Sequence, residues 1–262
     1  MPRRIVLHAG FHKTGTTSVQ QFLRVNRRAL KPWLAIRLKP QIKPLLHATR
    51  GYSTWRDPVT LDKALNRFSK LLDSLPGMPK RTLCISAEEL CGHLPGRDDL
   101  MDYSVAPSLL YGFVDRARAA FPNAEVALYF STRAPGPWLH SAYWEHVTSS
   151  SMTLSFDDFV AQYRGAADLD HMVDLIAATV PCPTYRFKLE DSRTLPLGPV
   201  DPLLDLCDVP RDQRAAFVTP PPVNTRTDPA VLLALLDANR AYPDREARKA
   251  AKDAILAKAR QP

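Results

Sequence analysis

Four short apolar runs, rich in β-branched and aromatic residues, punctuate the chain at 4–9 (RIVLHA), 81–86 (RTLCIS), 125–132 (EVALYFST) and 184–189 (TYRFKL). Polar or turn residues bound each run. Most lack strict alternation, so the pattern predicts strands buried on both faces of a parallel sheet. Apolar positions recur with helical spacing at 16–30, 60–75, 107–121, 137–149, 155–164 and 168–179. Strands alternating with helices predict right-handed βαβ units and a three-layer α/β architecture, with a central, mainly parallel sheet flanked by helices.

Two regions depart from this rhythm. Residues 31–58 are basic, aromatic and broken by prolines, a composition that reads as a lid, an insertion reaching to about residue 60, or a connecting excursion. Beyond 190 the chain is proline-rich and then helical again at about 228–241 and 244–260. No internal repeat or low-complexity tract interrupts it. With 262 residues and 45% hydrophobic composition, a single domain over 1–262 is expected, since one α/β domain commonly reaches roughly 250 residues.

Charge narrows the partners. Lys and Arg number 35 against 27 Asp and Glu, a formal net charge of +8, which favours an anionic partner. The basic residues are scattered and not interleaved with aromatics as in an RNA-binding module, so nucleic acid is not expected. Cys84, Cys91, Cys182 and Cys207 form no CxxC pair and read as reduced, buried thiols. The N-terminus has only a three-residue apolar run before His8, short of a signal peptide, and no later stretch approaches a membrane span. A cytoplasmic location is expected.

The candidate chemistry starts at HAGFHKTGTTSVQQFL, residues 8–23. A glycine-bearing turn between a strand and a helix collects backbone N–H groups at the positive end of the helix dipole, which suits an anion. Gly10 and Gly15 have the spacing of the P-loop glycines, G-x-x-x-x-G-K-[ST]. However, Thr16 fills the lysine slot and Lys13 stands two residues before Gly15. A lysine inside the loop reaches the near end of a ligand, where a 5′-phosphate meets its transferring group. This suits a monophosphate bearing one short group better than a metal-bound triphosphate.

Lys13-Thr14-Gly15-Thr16-Thr17 resembles the K-[ST]-G-T-[TS] loop of the sulfotransferases that use 3′-phosphoadenosine 5′-phosphosulfate (PAPS). The wider form through Ser18 is similar to their bacterial single-domain branch. The resemblance implies a P-loop-like fold and a loop, Lys13 to Ser18, that binds the 5′-phosphosulfate. Family members also carry an arginine at the end of a later strand and a serine eight residues on, which hold the 3′-phosphate. Here Arg133 closes a strand and Ser141 lies eight residues beyond it, with Pro135 and Pro137 suiting a helix start. The R-K-G loop of the vertebrate cytosolic branch is absent; PPPVNTRTDP instead resembles the V-N-x-[RS] stretch of other branches, which implies cofactor or acceptor contacts for Asn224 and Arg226.

Sulfuryl transfer to a hydroxyl or amine needs a proton acceptor and a cation facing the leaving phosphate. Lys13 fits the cation. Glu88, just past the strand at 81–86, is the first candidate base and Glu89 the second; the alternative is that both acids belong to a helix's first turn. His12 adjoins Lys13 and is expected to touch the sulfate or the acceptor, whereas His8 reads as a packed, hydrogen-bonded residue. His140 and His146 are six apart, too far round a helix for a metal pair, and no metal site is expected. Trp33, Tyr52, Trp55, Trp138 and Tyr143 are candidates for an acceptor pocket or for the core. The implied reaction releases 3′,5′-bisphosphoadenosine and uses a small-molecule or glycan acceptor. Rival readings are a P-loop small-molecule kinase, which calls for a lysine after Gly15 and magnesium ligands, and a non-catalytic nucleotide-binding protein.

Overall fold

The computed structural model describes residues 1–221 and 228–259. Its centre is a five-stranded, all-parallel sheet in the order β2-β3-β1-β4-β5. The strands are β1 (Arg4–His8), β2 (Leu34–Leu38), β3 (Thr82–Ser86), β4 (Glu125–Thr132) and β5 (Thr184–Lys188). The expected α/β class is thus the observed one. The region 31–58 supplies the edge strand β2 and then, beyond Pro40 and with Pro44 in its first turn, a helix, α2 (Lys43–Trp55). Its strand is a single short run, LAIRL, without flanking alternation to announce it.

Helix α1 (Thr16–Val25) joins β1 to β2; α2 and α3 (Pro58–Asp73) join β2 to β3, and α4 (Ala106–Ala120) joins β3 to β4. Between β4 and β5 lie α5 (Pro135–Ser149), α6 (Phe156–Tyr163) and α7 (Leu169–Thr179). The short α8 (Asp201–Leu206) follows β5, and α9 (Pro229–Ala241) and α10 (Arg245–Lys258) come last. Several starts follow from sequence. Asp57 caps α3 by accepting from the Val59 and Thr60 amides ahead of Pro58, and Ser155 and Asp244 cap α6 and α10 in the same way.

Alternation along the strands divides the core between the two faces. Ile5, Leu7, Leu83, Ile85, Leu128 and Phe130 point toward α2, α3, α4 and α7, whereas Val6, Cys84 and Tyr129 pack with Val19, Phe22 and Leu23 of α1 and Leu203 and Leu204 of α8. From β1 the chain moves toward one edge of the sheet, and from β3 it crosses β1 toward the other. Connections that leave adjacent strands in opposite directions open a crevice at the strands' carboxyl ends, the usual ligand position in such sheets. Helices α9 and α10 close one flank. Lys252 donates to the Val147 and Ser150 carbonyls at 2.6 and 2.8 Å, and Asn239 donates to Val147 and Met152, so the end of α5 is held from outside. Among the described residues, no helix is long and apolar enough to cross a membrane. The four cysteines are free thiols, and all but Cys182 are buried.

Candidate functional site

Strand β1 delivers its chain into the crevice under tight local constraint. Its last residue, His8, is fully buried, with Nδ1 2.8 Å from Ser86 Oγ on β3 and Nε2 3.3 Å from Ser131 Oγ on β4. Burial pushes this ring down to about 4, so it is neutral and works as a cross-strand hydrogen-bonding strut. At Gly10 a Cβ would stand 2.8 Å from Thr16 Cγ2 and 3.1 Å from His8 Nε2. Phe11 anchors the loop in the core, against Phe130 and Tyr103. Thr14 Oγ1 donates to the Phe11 carbonyl at 2.6 Å, which closes the turn.

Lys13 and Gly15 both take the left-handed backbone conformation, at φ 67° and 87°. The second leads into α1, which has no side-chain cap and no acid in its first turn. The positive end of the helix dipole is therefore left for something other than this chain's own carboxylates. Thr16 is buried beneath the turn, Thr17 is exposed and Ser18 half-buried.

Residues from the far side of the sheet fasten this loop. Arg133, directly after β4, donates from Nη1 to the Lys13 carbonyl at 3.1 Å, and Trp138 Nε1 donates to the His12 carbonyl at 2.9 Å. The Lys13 ammonium meets Glu145 Oε2 at 3.2 Å. Burial opposes ionisation of Glu145, but Lys13, the Ser149 hydroxyl and Arg97 outweigh it and hold the carboxyl below its ordinary range. Ser141 is half-buried on α5, three residues after Trp138 and four before Glu145. Residues at these spacings share a helix face, so Ser141 lies on the side of α5 that faces the loop. The turn after β5 completes the enclosure: Glu190 Oε1 accepts from the Ala134 amide at 3.1 Å, and Leu189 packs over Gly15.

On the other side of β1 stand the carboxylates. Glu88 and Glu89 occupy a 3₁₀ turn immediately after β3, not the first turn of an α-helix, and both are buried. Glu88 receives Lys39 Nζ on Oε1 at 2.5 Å and Gln20 Nε2 of α1 on Oε2 at 2.9 Å. Glu89 lies deeper, with Oε1 bonded by Arg50 at 2.6 Å and Lys39 3.1 Å from Oε2. Burial works against ionisation of Glu88, but His12, which becomes charged only in acid, together with the Lys39 charge and hydrogen bond, holds it well below the usual carboxylate range. Burial also pushes the His12 ring down to about 4. At neutral pH His12 is therefore uncharged, and Lys39 is the cation that keeps Glu88 ionised.

His12, Glu88 and Glu89 offer ligand atoms that all lie within 4.8 Å of one another. The sequence gives no sign of this grouping, because 76 residues separate the histidine from the first acid. The Lys39 ammonium already sits against both carboxylates, where a metal cation would have to compete with it. His12 also lies 3.2 Å through Nδ1 from the Tyr103 hydroxyl.

The structure thus gathers Lys13, Thr14, Gly15, Thr16, Arg133 and the Ser141 face on one side of the loop, and His12, Glu88 and Glu89 on the other. Asn224 and Arg226 lie outside the described residues. Of the aromatic candidates, Trp138, Tyr52 and Tyr143 are buried in the core, Trp33 packs against its second face, and Trp55 is exposed. His140 stacks on Phe156, and His146 is buried, donating from Nε2 to the Pro95 carbonyl. Glu145, Lys39 and Arg50 are site residues with no motif to mark them in the sequence. The chain matches no protein-family model and no curated protein.

Proposed function

We propose that the protein is a PAPS-dependent sulfotransferase of P-loop-like fold that transfers a sulfuryl group to a hydroxyl or amine of a small-molecule or glycan acceptor. The observation that carries this reading is the meeting of two motifs 120 residues apart: the Arg133 guanidinium is bonded to the Lys13 carbonyl, so the two candidate phosphate-binding elements share one crevice. The residues fit the group. The start of α1 is uncapped and free of acids, and a lysine and an arginine flank it.

In this reading Lys13 and the loop amides through Ser18 hold the 5′-phosphosulfate, and Arg133 with Ser141 holds the 3′-phosphate. The bound cofactor supplies an activated sulfuryl group. To reach the anion Lys13 leaves Glu145, exchanging one carboxylate for a more highly charged partner. Glu88, ionised, bonded to Gln20 of α1 and less deeply buried than Glu89, takes the acceptor's proton; an acceptor that displaces Lys39 removes the cation that depresses its pKa and so makes it a stronger base. Neutral His12 orients the acceptor hydroxyl from the loop side.

Titration calorimetry with 3′,5′-bisphosphoadenosine and 5′-AMP tests the assignment, since only the first offers Arg133 and Ser141 a 3′-phosphate. A charge-assisted hydrogen bond contributes about 1.5–3 kcal/mol, so the bisphosphate should bind at least roughly tenfold tighter. Arg133→Ala should erase most of that preference and Ser141→Ala a smaller share. Equal affinity in the unaltered protein sinks the reading. The kinase alternative has its own support in the His12, Glu88 and Glu89 grouping; ATP binding that requires magnesium and weakens on Glu88→Gln would favour it.

A further inference from the structure

The +8 net charge is not evenly spread. Residues 1–56 hold twelve of the 35 Lys and Arg and none of the 27 Asp and Glu; the remaining chain, with 23 against 27, is formally at −4. Folding neutralises part of this basic segment. Arg3, Arg4, Lys13, Lys39, Arg50 and Arg56 each reach an acid from later in the chain.

Arg24, Arg27, Arg28, Lys31 and Arg37 form no ion pair among the described residues, and with Arg81 they line one groove of about 530 Å³. Its floor is the start of β2, at Leu34 and Ile36, with Met78, and no acidic side chain lines it. Burial and the like charges of Arg27 and Arg81 disfavour the charge on Arg37, a repulsion that a bound anion would relieve. The groove also lies away from the phosphate loop. Helix α1 begins at that loop and ends at Arg24 and Val25, and its ten residues span about 15 Å.

Two structural explanations are too small for this cluster. A cation in the last turn of a helix complements its dipole, which accounts for Arg24. A charged residue on an edge strand discourages pairing with another chain, which accounts for Arg37. Neither requires six cations around one concavity without an acid. The volume falls in the range of small-ligand pockets, about 300–1,000 Å³, and five of the six cations are arginines, whose planar forks suit phosphate and sulfate oxygens. No aromatic side chain lines the groove, so nothing there stacks on a nucleobase.

We infer that this groove is a second anion site, taking a compact ligand that bears two or more phosphate or sulfate groups. It is independent of the sulfotransferase reading.

The test titrates the full chain at low salt with inositol hexakisphosphate, tripolyphosphate, sucrose octasulfate and orthophosphate, and in parallel with a short DNA duplex and anionic vesicles. At least one soluble polyanion should bind ten or more times tighter than orthophosphate, and comparison of the phosphate and sulfate probes identifies the preferred group. Arg27→Glu combined with Arg81→Glu should weaken that binding by about a hundredfold or more. The milder Arg27→Gln and Arg81→Gln pair should give a smaller loss in the same direction if the double reversal does not fold. Lys43→Glu combined with Lys63→Glu, the same total charge change outside the groove, should leave affinity within about threefold. Binding should also persist in Lys13→Ala. The inference is overturned if binding survives both groove variants, if Lys13→Ala abolishes it, or if only DNA or vesicles bind.

Discussion

Glu88 is a buried acid kept ionised by one neighbour, and its chemistry depends on that arrangement. Its two oxygens face Lys39 and Gln20, and removal of its charge should act on proton transfer more than on cofactor binding. Glu88→Gln is expected to lower turnover by roughly 10²- to 10⁴-fold, the usual share of a positioned general base, while 3′,5′-bisphosphoadenosine binds with near-original affinity. Lys39 retains Glu89 in that variant, so the fold should survive. Transfer from labelled PAPS to an acceptor found by screening hydroxyl and amine compounds measures the first effect, and calorimetry the second. Full activity in Glu88→Gln with loss in Glu89→Gln would move the base by one residue.

At the level of the element, the entry into α1 depends on a residue without a side chain. Gly15 has φ 87° and a Cβ there would lie 2.6 Å from Leu189 Cδ1. Gly15→Ala should therefore destabilise the protein by about 1–2 kcal/mol through the left-handed backbone alone, with a further loss from the contact with Leu189. The two parts separate in a Leu189→Ala background, where the steric share should vanish and the backbone share remain. Urea unfolding of the four proteins measures both. An unchanged penalty in the Leu189→Ala background would mean that the leucine simply rotates aside.

For the whole molecule, the histidines make the fold sensitive to acid. Burial holds His8, His12, His93 and His146 at about 4, against an ordinary value of 6.5. Unfolded, they take up protons near pH 6.5; folded, they do so only near pH 4. Their neutral burial is accommodated above pH 6.5, and stability falls as pH drops from 6.5 toward 4, where the unfolded state binds more protons. Glu88 extends the same trend below its ordinary carboxylate range, because its depressed pKa leaves the unfolded chain to protonate first. Unfolding free energies between pH 7 and 4.5 should decline steadily, with an uptake on unfolding of roughly three and a half protons near pH 5. A flat profile would mean that these rings become solvated before the molecule unfolds.

Local pattern was sufficient for much of this. β1, β3, β4 and β5, with α1 and the helices α3 to α7, announced themselves by short apolar runs and helical spacing, because core-facing positions repeat within a few residues; the short α8, in a proline-rich stretch, did not. The turn of Lys13 to Ser18 and the position of Glu88 past a strand were equally legible, since both depend on what immediately precedes and follows them. Edge strand β2 was not: five residues between prolines in a basic stretch are too short to declare a period. Nor could sequence reveal which distant charges would be neighbours. The bond of Arg133 to the loop, the pairing of Lys13 with Glu145, and the approach of Lys39 to Glu88 all arise at the carboxyl ends of adjacent strands. The strand order 2-3-1-4-5 brings those ends together. Likewise, cations scattered over residues 24–37 and at 81 became one groove only when α1 folded back beside β2 and β3. Periodicity is a short-range property of the chain, whereas ion pairs and anion sites depend on which segments the sheet makes adjacent, and that adjacency was decided by tertiary packing.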